Sequence, residues 1–412
     1  MSITRRVFLK GGVMTAVGTA ALPAFLTRTA MASETLPGNK RLVVIFQRGA
    51  ADGLNIVVPH GESTYYQMRP GIAIPRADVI DLDGHFGLHP SLRPLKQIWD
   101  EGHLAIVHAA GSPDPTRSHF DAQDYMESGT PGVKSTEDGW LNRTLSSERG
   151  GDHQPFRAVA LGPSLPRILS GAAPAIAVSN INAFGVGGSN PAARPIAQTF
   201  EAMYDHTVDS VLHGTGEETF EAVKMLKASD PQQYRPAAGV DYLHGRFGDA
   251  LRQTAQLMKA NLGVQVAFTD VLGWDNHVNE GSSEGQLGTL LRDFSGSLAA
   301  FWTDLGPLAA DTVVVTMSEF GRTVRENGTR GTDHGHANVM FVMGGPVKGG
   351  KVYGQWPGLA EDQLYQGRDL ALTTDFRQVI GEAVYRHLGN RNLPEVFPGF
   401  DGAPSRFLRV LG

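Results

Sequence analysis

Short continuous apolar runs recur along the chain, and most open into a polar or glycine-rich loop. "RLVVIF" (41–46) runs into "QRGAADGLN", "HLAIVHAAG" (103–111) into "SPDPTRSHF", "VQVAFT" (264–269) into "DVLGWDNH", and "TVVVTM" (312–317) into "SEFGRT". Runs without polar alternation predict strands buried on both faces. "ANVMFVMGG" (337–345) predicts a further strand, entered from the loop "GTDHGH". Between the runs the apolar period changes to that of helices. Leu92, Leu95, Ile98 and Trp99 mark one helical face, and "DAQDYMESG" continues as helix to Gly129. Leu243, Phe247, Leu251, Thr254, Leu257 and Met258 mark another, ended by Gly263; Leu287, Leu290, Leu291, Phe294, Leu298, Phe301 and Leu305 mark a third. The Pro-, Gly- and Ala-rich stretch 156–180 predicts short strands, and 196–229 reads as helical with a break at "HGTGEE". Residues 150–240 are therefore expected to form an insertion or cap.

Helix, strand and polar loop in repetition predict an α/β fold: a mainly parallel central sheet covered by helices on both faces. In such sheets ligand-binding groups gather beyond the carboxyl ends of the strands, where these polar loops are expected to lie.

The N-terminus carries a different signal. "TRRVFLKGG" pairs Arg5 with Arg6, a weakly apolar stretch runs to about Leu26, and "AMA" precedes Ser33. This is the pattern of a twin-arginine export signal over residues 1–32, cleaved after Ala32. It predicts a periplasmic or otherwise exported mature chain over residues 33–412, with the twin-arginine export machinery as a partner. The route generally carries folded, often cofactor-loaded proteins. The apolar stretch is too short to span a bilayer, and no later segment approaches that length. Removing Arg5, Arg6, Lys10 and Arg28 takes the net charge from −6 to −10, and an acidic chain without basic clusters argues against nucleic acid. There is no cysteine, so any metal must be held by imidazole nitrogen and oxygen. With no glycine fingerprint for a dinucleotide after the first strand either, redox chemistry has little support.

"GTDHGHANVMF" (331–341) then stands out. A loop needs Gly, Asn, Asp or Ser for its turns; two histidines add nothing to a turn. Asp275 and His277 follow one predicted strand, Glu319 follows the next, and Asp333, His334 and His336 occupy the following loop. Each alone is ordinary as a turn residue, a capping acid or a core histidine. Together they supply enough nitrogen and oxygen for a cation.

"RLVVIFQRGAADGLNIVVP", "GLHPSLRPLKQIWDEGHLAIVHAAG", "SEFGRT" and "DHGHANVMFVMGGPVKGG" resemble the exported family called domain of unknown function 1501. Its fold is similar to that of alkaline phosphatases, sulfatases and cofactor-independent phosphoglycerate mutases. The resemblance implies an alkaline-phosphatase-like three-layer α/β/α sandwich. It also implies metal ligands position by position: Asp275 and His277 after one strand, Glu319 where a second metal would have an acid, and His334 as the returning histidine with His336 as its rival. The acid expected at the end of the first strand is replaced by Gln47 and Arg48, and Phe320 stands where a second-metal ligand would be. One ion is therefore expected rather than two, zinc ahead of manganese or calcium. The nucleophile of the resembled enzymes would fall in "DPTRSHFD", at Ser118, with Thr116 as alternative. Arg48, and also Arg322, could clamp an anion bidentately. The expected function is that of a periplasmic metal-dependent hydrolase or transferase acting on phosphate or sulfate esters, its substrate an anionic small molecule or glycan ester. The alternative is a non-catalytic metal-containing binding or assembly protein on the same fold.

Overall fold

The structure, a computed structural model, describes residues 40–148, 154–181, 225–226 and 233–412. The export signal and nearly all of the helical segment expected over 196–229 lie outside the described residues. Among the described residues the central sheet comprises nine strands: β1 Arg41–Gln47, β2 Leu104–Gly111, β3 Ala158–Ala160, β4 Ile176–Ala177, β5 Val266–Val271, β6 Thr312–Ser318, β7 Asn338–Gly344, β8 Lys351–Tyr353 and β9 Thr374–Asp375. Their spatial order is β8-β2-β7-β6-β1-β5-β3-β4, with β9 paired to β2.

β1 shows why the run "RLVVIFQ" carries no polar alternation. Every residue is buried, Val43 and Ile45 in the core on one side of the sheet, Leu42, Val44 and Phe46 in the core on the other. Each such side chain contributes about 1.5–3 kcal/mol of burial. The helices divide accordingly between the faces: α1 Lys96–Asp100, α4 Arg246–Lys259 and α5 Gln286–Leu305 line the first, and α2 His119–Ser128, α3 Trp140–Ser146 and α6 Phe376–Glu382 the second. The result is a three-layer α/β/α sandwich. No helix among the described residues is long and apolar enough to cross a membrane.

Three departures from the sequence pattern have local causes. The face Leu92–Trp99 is not one α-helix: Pro90–Leu95 is a 3₁₀ turn with Pro94 inside it, and α-helix begins only at Lys96, because proline removes a donor and clashes with the preceding turn. Leu243 precedes α4 and is exposed rather than continuing its apolar stripe. Residues 158–177, assigned to an insertion or cap, supply β3 and β4 to the sheet edge.

β7 runs antiparallel to both its neighbours, β2 and β6, whereas β1, β3, β4, β5 and β6 are parallel. This reversal positions the site. A loop entering an antiparallel strand lies at the same edge as the loops leaving its parallel neighbours, so 331–337 meets the segments following β1, β5 and β6.

Candidate metal centre

The loops after β1, β5 and β6 and the one before β7 are bonded into one floor. Arg322 and His334 form an antiparallel bridge. Gly321 N donates to His336 O at 2.8 Å, Gly335 N to Gly321 O at 2.8 Å, and Thr332 N to Asn276 O at 3.2 Å. Two glycines permit this approach. A Cβ at Gly335 would lie 2.4 Å from the backbone of Arg322, and one at Gly49, whose φ is +114°, would lie 2.7 Å from Asp275 N, contacts that side chains do not tolerate. Arg322 is the pin beneath. Fully buried, it donates to the carbonyls of Gly49, Ala50, Trp274 and Thr332, and through Nη2 to Asp275 Oδ1 at 2.6 Å.

Above this floor three imidazoles and a carboxylate converge. His334 Nε2 lies 3.0 Å from His119 Nε2 and 2.9 Å from His277 Nε2. Asp275 Oδ1 lies 3.1 Å from His277 Nε2 and 3.5 Å from the Nε2 atoms of His119 and His334. Among the described residues, the ligand atoms of His119, Asp275 and His334 form a metal-capable group, all within 4.8 Å of one another.

The outer nitrogen of each ring decides what the inner one presents. His334 Nδ1 faces the carbonyl of Arg117 at 2.8 Å, which can only accept, so Nδ1 carries the hydrogen. His119 Nδ1 faces Glu319 Oε1 at 2.9 Å, and His277 Nδ1 faces Asp333 Oδ1 at 3.2 Å. Both carboxyls are held in the ionised form. Burial pushes Glu319 up, but hydrogen bonds from His119, Gln123 and the Gly49 amide outweigh it; Asp333 is held low by Asn327 and His277. With Nδ1 donating, a neutral ring presents its Nε2 lone pair, and the Nε2 atoms of His119 and His277 both meet that of His334. Such an arrangement repels itself unless a cation stands among them.

The contacts with Glu319 raise the pKa of His119, while burial lowers that of His334. Burial works against ionised Asp275, yet the Arg322 guanidinium and the nearby imidazoles hold it below the ordinary carboxylate range.

The donor set fits a metal. Tetrahedral zinc with ligands at about 2.0–2.1 Å spaces neighbouring ligand atoms about 3.3 Å apart; the separations within His119, Asp275 and His334, and those of His277 from His334 and Asp275, run from 2.9 to 3.5 Å and bracket that spacing. Three imidazole nitrogens to one oxygen suit zinc; calcium, which takes oxygen ligands, drops out. The Asp275 side chain remains 48% exposed, so the centre is open to solvent on one side.

The structure brings Asp275, His277 and His334 together and places the other expected residues elsewhere. Glu319 does not reach the cluster centre. Its side chain is fully buried and accepts from His119, Gln123, Gly49 N and Ser318, which makes it the carboxylate that orients His119. His336 is displaced from the ligand set: its ring stacks on Tyr365, centroids 4.3 Å apart. Asp333 orients His277. Arg48 is no anion clamp, because its nitrogens are engaged by Asp270 at 2.8 Å, Gln123 at 3.0 Å and Glu127 at 2.9 Å. Arg322 is taken up by the loop backbones. Ser118 is the N-cap of α2, its Oγ accepting from Asp121 N at 3.4 Å, and Thr116 Oγ1 accepts from Ser118 N at 3.2 Å. His119 is the member of the cluster that the sequence reading passed over. It stands directly after Ser118, at the start of the helix that follows β2, and the strand-end rule applied to the other loops would have found it.

Structural comparison finds similarity to the C-terminal periplasmic domain of EcEptC from Escherichia coli in complex with Zn, 9% identical over 74% of this chain and 72% of that one, with a TM-score of 0.35. The PsFucS1 sulfatase from Pseudoalteromonas sp. is 12% identical over 93% of this chain and 72% of that one, with a TM-score of 0.38. At such scores the chemistry of the centre rests on its own residues. No curated protein matches the sequence. The model of the family described as "Protein of unknown function (DUF1501)" matches residues 39–393, and the chain belongs to that family.

Proposed function

We propose that the protein is an exported, metal-dependent hydrolase or transferase of phosphate or sulfate esters. One observation carries the metal: three histidines each have Nδ1 held by an acceptor, and His119 and His277 both turn Nε2 onto that of His334 beside Asp275. His119, Asp275, His277 and His334 would hold one divalent ion, zinc first and manganese second. When bound, such an ion supplies Lewis-acid polarisation of an ester oxygen and charge neutralisation. Glu319, Asp333 and the Arg117 carbonyl keep the rings aimed and in the right tautomer. Ser118, one residue before His119 at the N-terminus of α2, supplies the attacking hydroxyl. Its oxygen forms a bond to phosphorus or sulfur, the ester alcohol departs with a proton, and water releases the group in a second step.

The substrate's charge is met beside His334. Arg368 donates to the His334 carbonyl, and both Arg368 and Arg117 pair with Asp369. Asp369 is fully buried while the Arg368 side chain is 46% exposed, so the Arg368 guanidinium is within reach of an anion.

Zinc-loaded protein is expected to hydrolyse at least one of a panel of aryl phosphate and sulfate esters, to lose that activity on chelation, and to lose it in Ser118→Ala with zinc retained. The engagement of Arg48 and Arg322 by internal acceptors favours a second reading, a metal-containing binding protein. Full zinc occupancy with no turnover across the panel would select it. For export, Arg5→Lys with Arg6→Lys should leave the precursor unprocessed in the cytoplasm; normal periplasmic accumulation would contradict the twin-arginine reading.

A further inference from the structure

The described residues expose six large apolar side chains, and four of them share one edge of the sheet. Phe120 (89% exposed), Leu165, Leu272 and Val278 all follow the carboxyl ends of the parallel strands β2, β3 and β5, at the edge that carries the metal centre. Val133 joins Phe120, because its neighbour Lys134 pairs with Asp121 at 2.9 Å, the residue after Phe120. Single exposed apolar residues are ordinary; a concentration at one edge marks a binding surface. Phe120 adjoins His119 and Val278 adjoins His277, the two histidines whose Nε2 atoms both meet His334 Nε2. Two of the exposed apolar residues are thus chain neighbours of histidines of the charged centre.

We infer that the substrate is an amphiphile, an anionic ester whose apolar chain lies across Phe120 and Val278 while its charged group sits at the metal centre. This rests on the ester reading above and adds the chemical class of the rest of the molecule. The same surface could in principle meet a membrane, but the mature chain's net charge of −10 opposes approach to an anionic bilayer, whereas a single anionic molecule is attracted by the centre itself.

Calorimetric titration of zinc-loaded protein with decyl phosphate, below its micellar concentration, and with methyl phosphate tests this. Decyl phosphate should bind at least about 30-fold more tightly, the gain expected from burying a few methylenes. Phe120→Ser should reduce that ratio to below about threefold, and Phe120→Leu should keep most of it, since leucine preserves the apolar contact. Equal affinities for the two phosphates in the wild-type protein would overturn the inference while leaving the ester reading intact; failure of both to bind would overturn the two together. Binding of the zinc-free protein to vesicles of phosphatidylcholine and phosphatidylglycerol, lost in Phe120→Ser, would assign the apolar rim to a membrane and overturn the inference.

Discussion

Replacing His334 with alanine abolishes metal retention, whereas replacing His336, two residues along the same loop, changes metal affinity by no more than about threefold, within the spread of distant substitutions. The difference follows from geometry. His334 Nε2 is the meeting point of the cluster, 3.0 Å from His119 and 2.9 Å from His277, while the His336 ring is stacked on Tyr365. Glu319→Gln should fall between the two. It leaves all four ligands in place but replaces the carboxylate that fixes the His119 tautomer, a change of the kind that costs about 10–100-fold in affinity. Competition against a chromophoric chelator measures all three variants on one scale. Equal losses in His334→Ala and His336→Ala would contradict the assignment of the pair.

The second large effect lies beneath the centre. Arg69→Met is expected to destabilise the protein by about 3–5 kcal/mol, the usual cost of leaving a buried charge without its partner. Arg69 is fully buried; it donates to both oxygens of Asp52, to Asn55, and to the carbonyls of Thr323 and Val324. Glu280, also fully buried, faces Asp52, Arg69, Asn55 and Thr332. Burial, followed by the adjacent Asp52 charge, pushes the Glu280 carboxyl well above its ordinary range, while Arg69 more than offsets the effect of burial on Asp52 and holds it low. A carboxyl whose pKa is raised by folding binds more protons folded than unfolded between the two values. Its stabilising contribution is therefore complete below the unfolded pKa and is lost as pH rises towards and through the folded one. Glu280→Gln, already neutral, should cost less than about 1 kcal/mol at acidic pH, in line with a shape-preserving exchange, and should flatten the fall in stability above the ordinary glutamate range. Denaturant unfolding across pH tests both statements; an unchanged slope in Glu280→Gln would remove Glu280 from this role.

The sheet was legible in the sequence because its central strands are buried on both faces: β1, β6 and β7 read as mainly apolar runs, and α5 as a clean helical stripe. The strand direction of β7 was not legible, since an apolar run looks the same whichever way it points. Yet that direction carries the loop with His334 to the carboxyl edge. For the centre, residues that cluster within a loop, Asp275 with His277 and Asp333 with His334, were visible as unusual chemistry. His119 was obscured by an N-capping serine beside it that offered a more familiar role. The duties of Arg48 and Glu319 could not be read from sequence, because residue type does not say which acceptors and donors three separate loops will bring to it. Arg48 found Asp270, Gln123 and Glu127; Glu319 found His119.

The central claim is a single ion held by three imidazoles and one carboxylate. Elemental analysis with X-ray absorption at the zinc edge, on protein purified after native export, tests it most directly. One zinc per chain is predicted, with four nitrogen or oxygen ligands at about 2.0–2.1 Å and the outer-shell scattering of three imidazole rings. Metal-free protein that takes up no zinc, or zinc bound without imidazole scattering, would contradict it.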